Sequence, residues 1–281
     1  MKKNEFIDLM VKSGFDSIEA KAEVELILEF VLNKTKEELL FISDFNDEKI
    51  MPVIKERIET RRPIQYILGY APFMGEKFIV DENVLIPRDE TEILVREAFA
   101  SLKKIKKETV KILDIGTGSG IIACMLGKLS DKSNINTEII GIDISIGALN
   151  TAIENMKKMN LTRRVMFRKS DLFSNVHKDE KFDIIVSNPP YIPKALKETI
   201  QKEVEFEPYN ALYTDDSTGL YFYEKIIKKA PEFLNDEGLL LFEMMKGQNS
   251  EIEKMMKQNG FSEIQTIKDL AGIERVIKGK I

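Results

Sequence analysis

The stretch Asn188-Pro189-Pro190-Tyr191 places an amide, two stiff backbone carbonyls and an aromatic ring within four residues. It directly follows the apolar run Phe182-Asp183-Ile184-Ile185-Val186-Ser187, so it sits where a buried strand ends. Consecutive prolines fix φ and lack N–H donors, which stops a central strand and delays a helix. The Asn before them is pushed into an extended conformation. Such a loop, at the carboxyl edge of an open α/β sheet, lies where those sheets bind ligands. Its chemistry suits a planar NH2 group. The Asn188 side-chain carbonyl and the Pro189 backbone carbonyl can each accept one N–H bond, orienting the nitrogen and stabilising positive charge that develops on it. Tyr191 can pack against the flat group. Pro190 completes the stiff wall, so all four residues are candidates for substrate contact, with Asn188, Pro189 and Tyr191 nearest the reaction. The same four residues also read as a plain turn, because Asn-Pro commonly opens one.

What lies upstream bears on that choice. Lys111–Ile115 runs into Gly116-Thr117-Gly118-Ser119-Gly120, followed by the helix-prone Ile121–Leu129. Glycines let the backbone approach a ligand, and a helix N-terminus offers free N–H groups. A dinucleotide fingerprint would need glycine at position 121, where this chain has Ile121. The next apolar run ends in Gly141-Ile142-Asp143. Asp143 can accept two hydrogen bonds from ribose hydroxyls, or it can cap the helix starting near Ser145. A third run ends in Ser170-Asp171-Leu172-Phe173. Asp171 can accept from an adenine amino group while Leu172 and Phe173 touch the ring, or it can be a loop carboxylate beside core residues. Together these form an adenosine site on three strands, with Asn188 at the end of a fourth. S-adenosyl-L-methionine suits it better than a nicotinamide cofactor, since it needs no pyrophosphate cradle and the glycine turn leaves room for a methionine tail. The expected cofactor contacts are Gly116, Thr117, Gly118, Ser119, Gly120, Asp143, Asp171, Leu172 and Asn188. Methyl transfer is an in-line displacement in which the enzyme mainly positions the nucleophile, and no general base is needed beforehand.

The elements that must hold these residues are legible in outline. Val110–Ile115, Glu138–Ile142, Val165–Arg168, Phe182–Val186 and Leu239–Phe242 are short and strand-like, with helical patterns near 119–130, 145–159, 219–233 and 248–258 between them. That alternation predicts a doubly wound α/β fold with a mostly parallel sheet. Two final strands, near Glu263–Ile267 and Glu274–Ile277, lack a crossover helix and should pair antiparallel. Residues 1–60 read as a small helical bundle. Asp16-Ser17-Ile18-Glu19 and Thr35-Lys36-Glu37-Glu38 have capping-box spacing, Ile50, Val53, Ile54 and Ile58 mark one helical face, and Pro52 limits where that helix begins. Residues 61–88 form a link in which Phe73-Met74-Gly75-Glu76 predicts a hairpin. The catalytic domain is expected over 89–281.

Composition narrows the chemistry. The 281 residues are 43% hydrophobic and 32% charged, those of an ordinary globular protein with a real core. A net charge of −5 argues against broad electrostatic capture of nucleic acid, and the 11 basic and 14 acidic residues over 1–62 make no basic grip. No run approaches a membrane span, and Glu5 and Asp8 stand too early for a signal or transit peptide. Cys124 is the only cysteine and His177 the only histidine, the latter in a polar stretch that reads as a surface loop. Zinc sites of the His/Cys kind and Ser-His-Asp chemistry are therefore not expected. A reducing cytoplasm fits.

With these residues in place, the chain resembles the HemK/PrmC family of protein-(glutamine-N5) methyltransferases. Beyond Asn188–Tyr191 and Gly116–Gly120, the resemblance rests on Arg62-Pro63-Ile64-Gln65-Tyr66-Ile67-Leu68-Gly69, Val84-Leu85-Ile86-Pro87-Arg88, Thr91-Glu92, Glu205-Phe206-Glu207-Pro208, and Asp269-Leu270-Ala271-Gly272 with Arg275. It implies a seven-stranded, Rossmann-like class I methyltransferase domain behind an N-terminal helical domain that recognises substrate. It also implies that the substrate is the glutamine of the Gly-Gly-Gln loop of class 1 peptide chain release factors; the composition adds the expectation of a cytoplasmic enzyme with no direct nucleic acid, membrane or metal. Asp89 stands where the family has proline, Met244-Met245 follow Glu243 where glycine is expected, and Thr214-Asp215-Asp216-Ser217 replaces a glycine-containing loop.

Three other activities compete. A DNA or RNA base N-methyltransferase would hold a flipped base with the same four residues, but the acidic balance and the lack of an evident base-recognition domain weigh against it. A non-catalytic S-adenosylmethionine-binding protein is disfavoured by the intact Asn188 and Tyr191. An NAD-dependent oxidoreductase is disfavoured by Ile121.

Overall fold

A computed structural model describes residues 1–199 and 202–281. The chain divides into two compact units. The first comprises Met1–Tyr70 together with the 3₁₀ segment Lys202–Phe206. Its helices are α1 (Lys3–Lys12), α2 (Ser17–Leu32), α3 (Lys36–Leu39), α4 (Asp47–Thr60) and α5 (Ile64–Leu68). Phe6, Met10, Val24, Ile27, Leu28, Ile50, Ile54 and Ile64 meet in one core. Both anticipated helix starts carry side-chain caps: the Asp16 carboxylate accepts from Ile18 N at 2.8 Å, and Thr35 and Glu38 cap α3 reciprocally. Pro52 does not limit where α4 begins. Asn46 caps that helix, and Pro52 lies in its second turn, where the ring forfeits a single backbone bond. Arg57, 1% exposed, sits in the middle of this unit and donates to both Glu23 oxygens and to Arg61 O. Breaking such a buried pair on one side leaves an uncompensated charge.

The second unit begins at Ala71. Strands β1 (Tyr70–Phe73) and β2 (Glu76–Ile79) form a two-stranded sheet. Met74 and Gly75, at φ 49° and 78°, make the left-handed two-residue turn that hairpins favour. Helix α6 (Asp89–Leu102) follows and was not among the expected elements. The main sheet is then built from β3 (Val110–Ile115), α7 (Ile121–Lys132), β4 (Thr137–Asp143), α8 (Ile146–Lys158), β5 (Val165–Lys169) and β6 (Phe182–Ser187). A small pair of strands, β7 (Ile192–Pro193) and β8 (Tyr213–Thr214), brackets helix α9 (Tyr209–Leu212). The chain closes with α10 (Tyr221–Lys229), β9 (Leu234–Glu243), α11 (Asn249–Gln258), β10 (Ser262–Lys268) and β11 (Glu274–Lys280).

The seven strands run in the order β10-β11-β9-β6-β3-β4-β5. The five from β9 to β5 are parallel; β11 pairs antiparallel with both β9 and β10, the latter as the missing crossover helix predicted. The apolar strand runs are explained by burial on both faces. Ile112 packs with α6, α7 and α8 on one side, while its neighbour Leu113 packs with α10 and α11 on the other. The order reverses beside β3: β4 and β5 lie to one side of it, β6 and β9 to the other. Ligands bind α/β sheets at such a reversal, beyond the carboxyl ends of the strands. Ile115, Asp143, Ser187 and Glu243 terminate their strands on that edge.

Candidate active site

The turn after β3 is shaped by three left-handed glycines, Gly116, Gly118 and Gly120. Their roles differ. A Cβ on Gly116 or Gly118 would meet no atom within 4 Å, so both border open space. A Cβ on Gly120 would lie 2.8 Å from Phe167 and 3.0 Å from the Ala152 side chain. Gly120 thus lets the helix start pack against its neighbours, and its position as N-cap of α7 needs the left-handed φ of 77°. Thr117 and Ser119 are buried; the Thr117 hydroxyl donates to Asp114 Oδ2 at 2.6 Å, and Ser119 O accepts from Asn155 Nδ2.

Asp143 ends β4 and holds this turn. Its Oδ2 accepts from Gly118 N and its Oδ1 from Ser145 N, both at 2.9 Å. The cap of α8 is Ser145, whose hydroxyl accepts from Ala148 N. Three backbone N–H groups occupy at most three of the four lone pairs of the Asp143 carboxylate, so it can still accept. Burial raises its carboxyl, opposed by the N–H groups of Ser145, Gly118 and Ile144. Asp171 is exposed and opens the 3₁₀ turn Leu172–Asn175, with Leu172 half-buried at φ 46°. His177 is on the surface.

Asn188 leaves β6 on the same edge. Its Nδ2 donates to Thr91 Oγ1 of α6 at 3.2 Å, so the carbonyl end of the amide is left to accept. Pro189 is buried, and Pro190 and Tyr191 are half-buried. The Tyr191 phenol donates to Glu243 Oε1 at 3.3 Å. Its backbone carbonyl accepts from Gln248 Nε2, which also reaches Thr218 O and Gly219 O. A Cβ on Gly219 would lie 2.1 Å from Tyr191 O, so only glycine fits there. The loop ahead of Gly219 is pinned by Asp216, whose Oδ2 accepts from Thr218 N, Thr218 Oγ1 and Leu220 N. The acidic stretch Thr214–Ser217 therefore has a structural task. Met244 fills the core beside α10 and α11, and Asp89 opens the first turn of α6, where a carboxylate favours the helix dipole.

Two carboxyls outside the expected set complete the site. Asp114 is fully buried; its Oδ1 has no partner, and burial pushes it up to about 7 despite Thr117 and Ala123. Glu243 is 2% exposed and likewise pushed up to about 7 by burial, against the Thr91 and Tyr191 hydroxyls. Each lies in or just after an apolar strand run, at the end that binds ligands, and a lone acid in that place was the available signal. Other quoted motifs meet around the same edge. Arg88 pairs with Glu207, which also accepts from Ile86 N, and Arg275 joins Asp269 to Glu90.

The arrangement fits S-adenosyl-L-methionine. Gly116 and Gly118 leave an open cradle, Asp143 can still accept from a ribose, and the unpartnered Asp114 Oδ1 is a buried acceptor beside them.

A family profile described as a methyltransferase domain matches residues 106–275. A release factor glutamine methyltransferase of Fusobacterium nucleatum is 39% identical, over 99% of this chain and 77% of its own length. One from Clostridium botulinum is 40% identical over 92% and 91%. Among solved structures, a methyltransferase from Pyrococcus furiosus superposes with a TM-score of 0.53 at 17% identity, covering 84% of this chain and 98% of its own. The fold is thus that of the class I, Rossmann-like methyltransferases.

Proposed function

Because the chain belongs to the release factor glutamine methyltransferase family, we propose that its pocket receives the glutamine of the Gly-Gly-Gln loop of class 1 peptide chain release factors. The reaction is methylation of the side-chain amide nitrogen of a release-factor glutamine, with S-adenosyl-L-methionine as donor. When bound, that cofactor supplies a methyl group on a positively charged sulfur.

The chain's own residues do the rest by position. Gly116 and Gly118 leave space for the cofactor's backbone, Asp143 holds its ribose, and Asp171 and Leu172 border its base. Asn188 Oδ1 and the Pro189 carbonyl accept the two N–H bonds of the substrate amide. This fixes the nitrogen's face toward the donor and stabilises the positive charge that grows there. Tyr191 lines the amide plane. Preset acceptors need no reorganisation when that charge appears.

The observation that carries this reading is the orientation of Asn188, whose NH2 end is already spent on Thr91. A base N-methyltransferase would use the same acceptors, so acceptor competition separates the two. Labelled methyl should enter a purified release factor and not duplex DNA or RNA supplied beside it. Label in the nucleic acid alone would reverse the assignment.

A glutamine on a large folded protein also needs a docking surface beyond its pocket. We assign that task to residues 1–60, with 61–88 as link and 89–281 as the catalytic domain. Leu40 and Phe41, 77% and 90% exposed, stand out on the first unit. Phe41→Asp should raise KM for the intact factor without slowing a Gly-Gly-Gln peptide; an unchanged KM would remove Phe41 from the docking surface. Among the described residues no helix is long and apolar enough to cross a membrane, and a release-factor substrate supports a cytoplasmic location.

A further inference from the structure

We propose that Glu243 is a positioning residue for the transfer: acting through Thr91, it fixes which end of the Asn188 amide faces the substrate. The inference rests on the functional reading above and adds a residue which that reading does not use.

The two ends of an asparagine amide are nearly the same size, so only the hydrogen-bond network selects one orientation. In this pocket the choice decides function. The carbonyl end accepts a substrate N–H, whereas the NH2 end would point N–H at N–H. Asn188 Nδ2 donates to Thr91 Oγ1 at 3.2 Å. The Thr91 hydroxyl has one proton of its own, which must then point elsewhere. The group on which it acts is the Glu243 carboxyl. Glu243 Oε1 accepts from the Tyr191 phenol, while the buried Oε2 makes no hydrogen bond and is open to the Thr91 proton. An ionised carboxyl can only accept. With its proton directed at an ionised Glu243, Thr91 receives from Asn188 and leaves the Asn188 carbonyl facing outward.

A protonated Glu243 inverts that chain. It can donate to Thr91, Thr91 can then donate to Asn188 Oδ1, and the amide turns its NH2 group to the substrate. The groups facing the carboxyl come from several elements. Glu90 and Thr91 belong to α6, Tyr191 to the loop after β6 and Arg275 to β11. Tyr223 of α10 donates to the Glu243 backbone carbonyl. Burial dominates and Glu90 adds to it, while the hydroxyls and Arg275 oppose, which leaves the carboxyl at about 7. Both orientations of the relay therefore fall within the working pH range, with the productive one at higher pH. Glu243 also ties β9 to the loop after β6 through Tyr191, and a purely structural brace would not give the kinetic pattern below.

The test measures kcat and KM for methylation of a purified release factor from about pH 5.5 to 9, for the wild type, Thr91→Val, Thr91→Ser and Glu243→Gln. Calorimetry of S-adenosyl-L-methionine binding accompanies each. Wild-type kcat should fall on an acidic limb centred near pH 7. Thr91→Val should lose about ten- to a hundredfold in kcat with cofactor affinity within about twofold, because a misaligned acceptor slows the reaction more than it weakens binding. Thr91→Ser should restore most of that loss, and Glu243→Gln should lack the acidic limb. The proposal fails if Thr91→Val keeps wild-type kcat, if Ser is no better than Val, or if the limb survives in Glu243→Gln. If Glu243→Gln does not fold, the Val and Ser pair decides alone. A wild-type chain that transfers no label to the factor overturns the functional reading itself, a result distinct from all of these.

Discussion

The Asn188 side-chain amide donates to Thr91 Oγ1 at 3.2 Å, across 97 positions of sequence. Helix α6 thereby braces the residue whose carbonyl must meet the substrate nitrogen. Asn188→Ala removes one aligned acceptor from a preset site, which typically costs about 10²–10³ in rate. Turnover should fall on that scale while calorimetric affinity for S-adenosyl-L-methionine changes far less. Near-normal turnover would sink the proposed geometry.

Asp143 is the counterpart on the cofactor side. A hydrogen bond to a charged group is worth about 1.5–3 kcal/mol, so Asp143→Ala should weaken S-adenosyl-L-methionine binding by at least about tenfold. The carboxylate also holds Gly118 N and Ser145 N, so part of the loss comes from a slackened turn. Unchanged affinity would leave Asp143 as a loop brace alone.

Gly219 tests the wall behind Tyr191. At φ +73° an L side chain is strained by about 1–2 kcal/mol, and its Cβ would press on the Tyr191 carbonyl at 2.1 Å. Gly219→Ala should lower stability by at least about 2 kcal/mol in denaturant titration and reduce kcat as Tyr191 shifts. A variant with wild-type midpoint and kcat would show that this loop moves freely.

Asp114 gives a pH prediction. Burial raises its carboxyl from 3.8 to about 7, so the folded chain keeps a proton that the unfolded chain has released. That contribution is complete below about pH 4 and is lost as pH rises through 7, because the unfolded state binds fewer protons in between. Wild-type stability should therefore drop between about pH 4 and 7 by more than that of Asp114→Asn, which cannot ionise. Parallel pH profiles for the two would mean that Asp114 titrates normally.

The sheet was legible because its strands are buried on both faces and therefore read as short apolar runs, from Val110–Ile115 to Phe182–Ser187. Strand β9 was legible only over its last residues. Glu237 is left-handed, and the pairing with β6 shifts register between Phe182 and Ile184, which breaks the pattern nearby. Helix α6 had a signal: Leu94, Val95, Ala98 and Leu102 are spaced for one buried face. The Asn188 loop and the glycine turn announced themselves through local backbone rules. Thr91 did not, since its part in the site depends on contacts that only folding creates, and Glu243 offered only the signal of a lone acid ending an apolar strand run. Gly120 was grouped with its neighbours by spacing, although its missing side chain makes room for Phe167 and Ala152.

The most direct test incubates the full chain with S-adenosyl-L-methionine carrying a labelled methyl group and a purified class 1 release factor, then maps the label by peptide fragmentation. The account predicts a single methyl on the side-chain nitrogen of the Gly-Gly-Gln glutamine, absent when the chain carries Asn188→Ala. A methyl on any other residue, or an unlabelled factor beside an active wild-type chain, would contradict it.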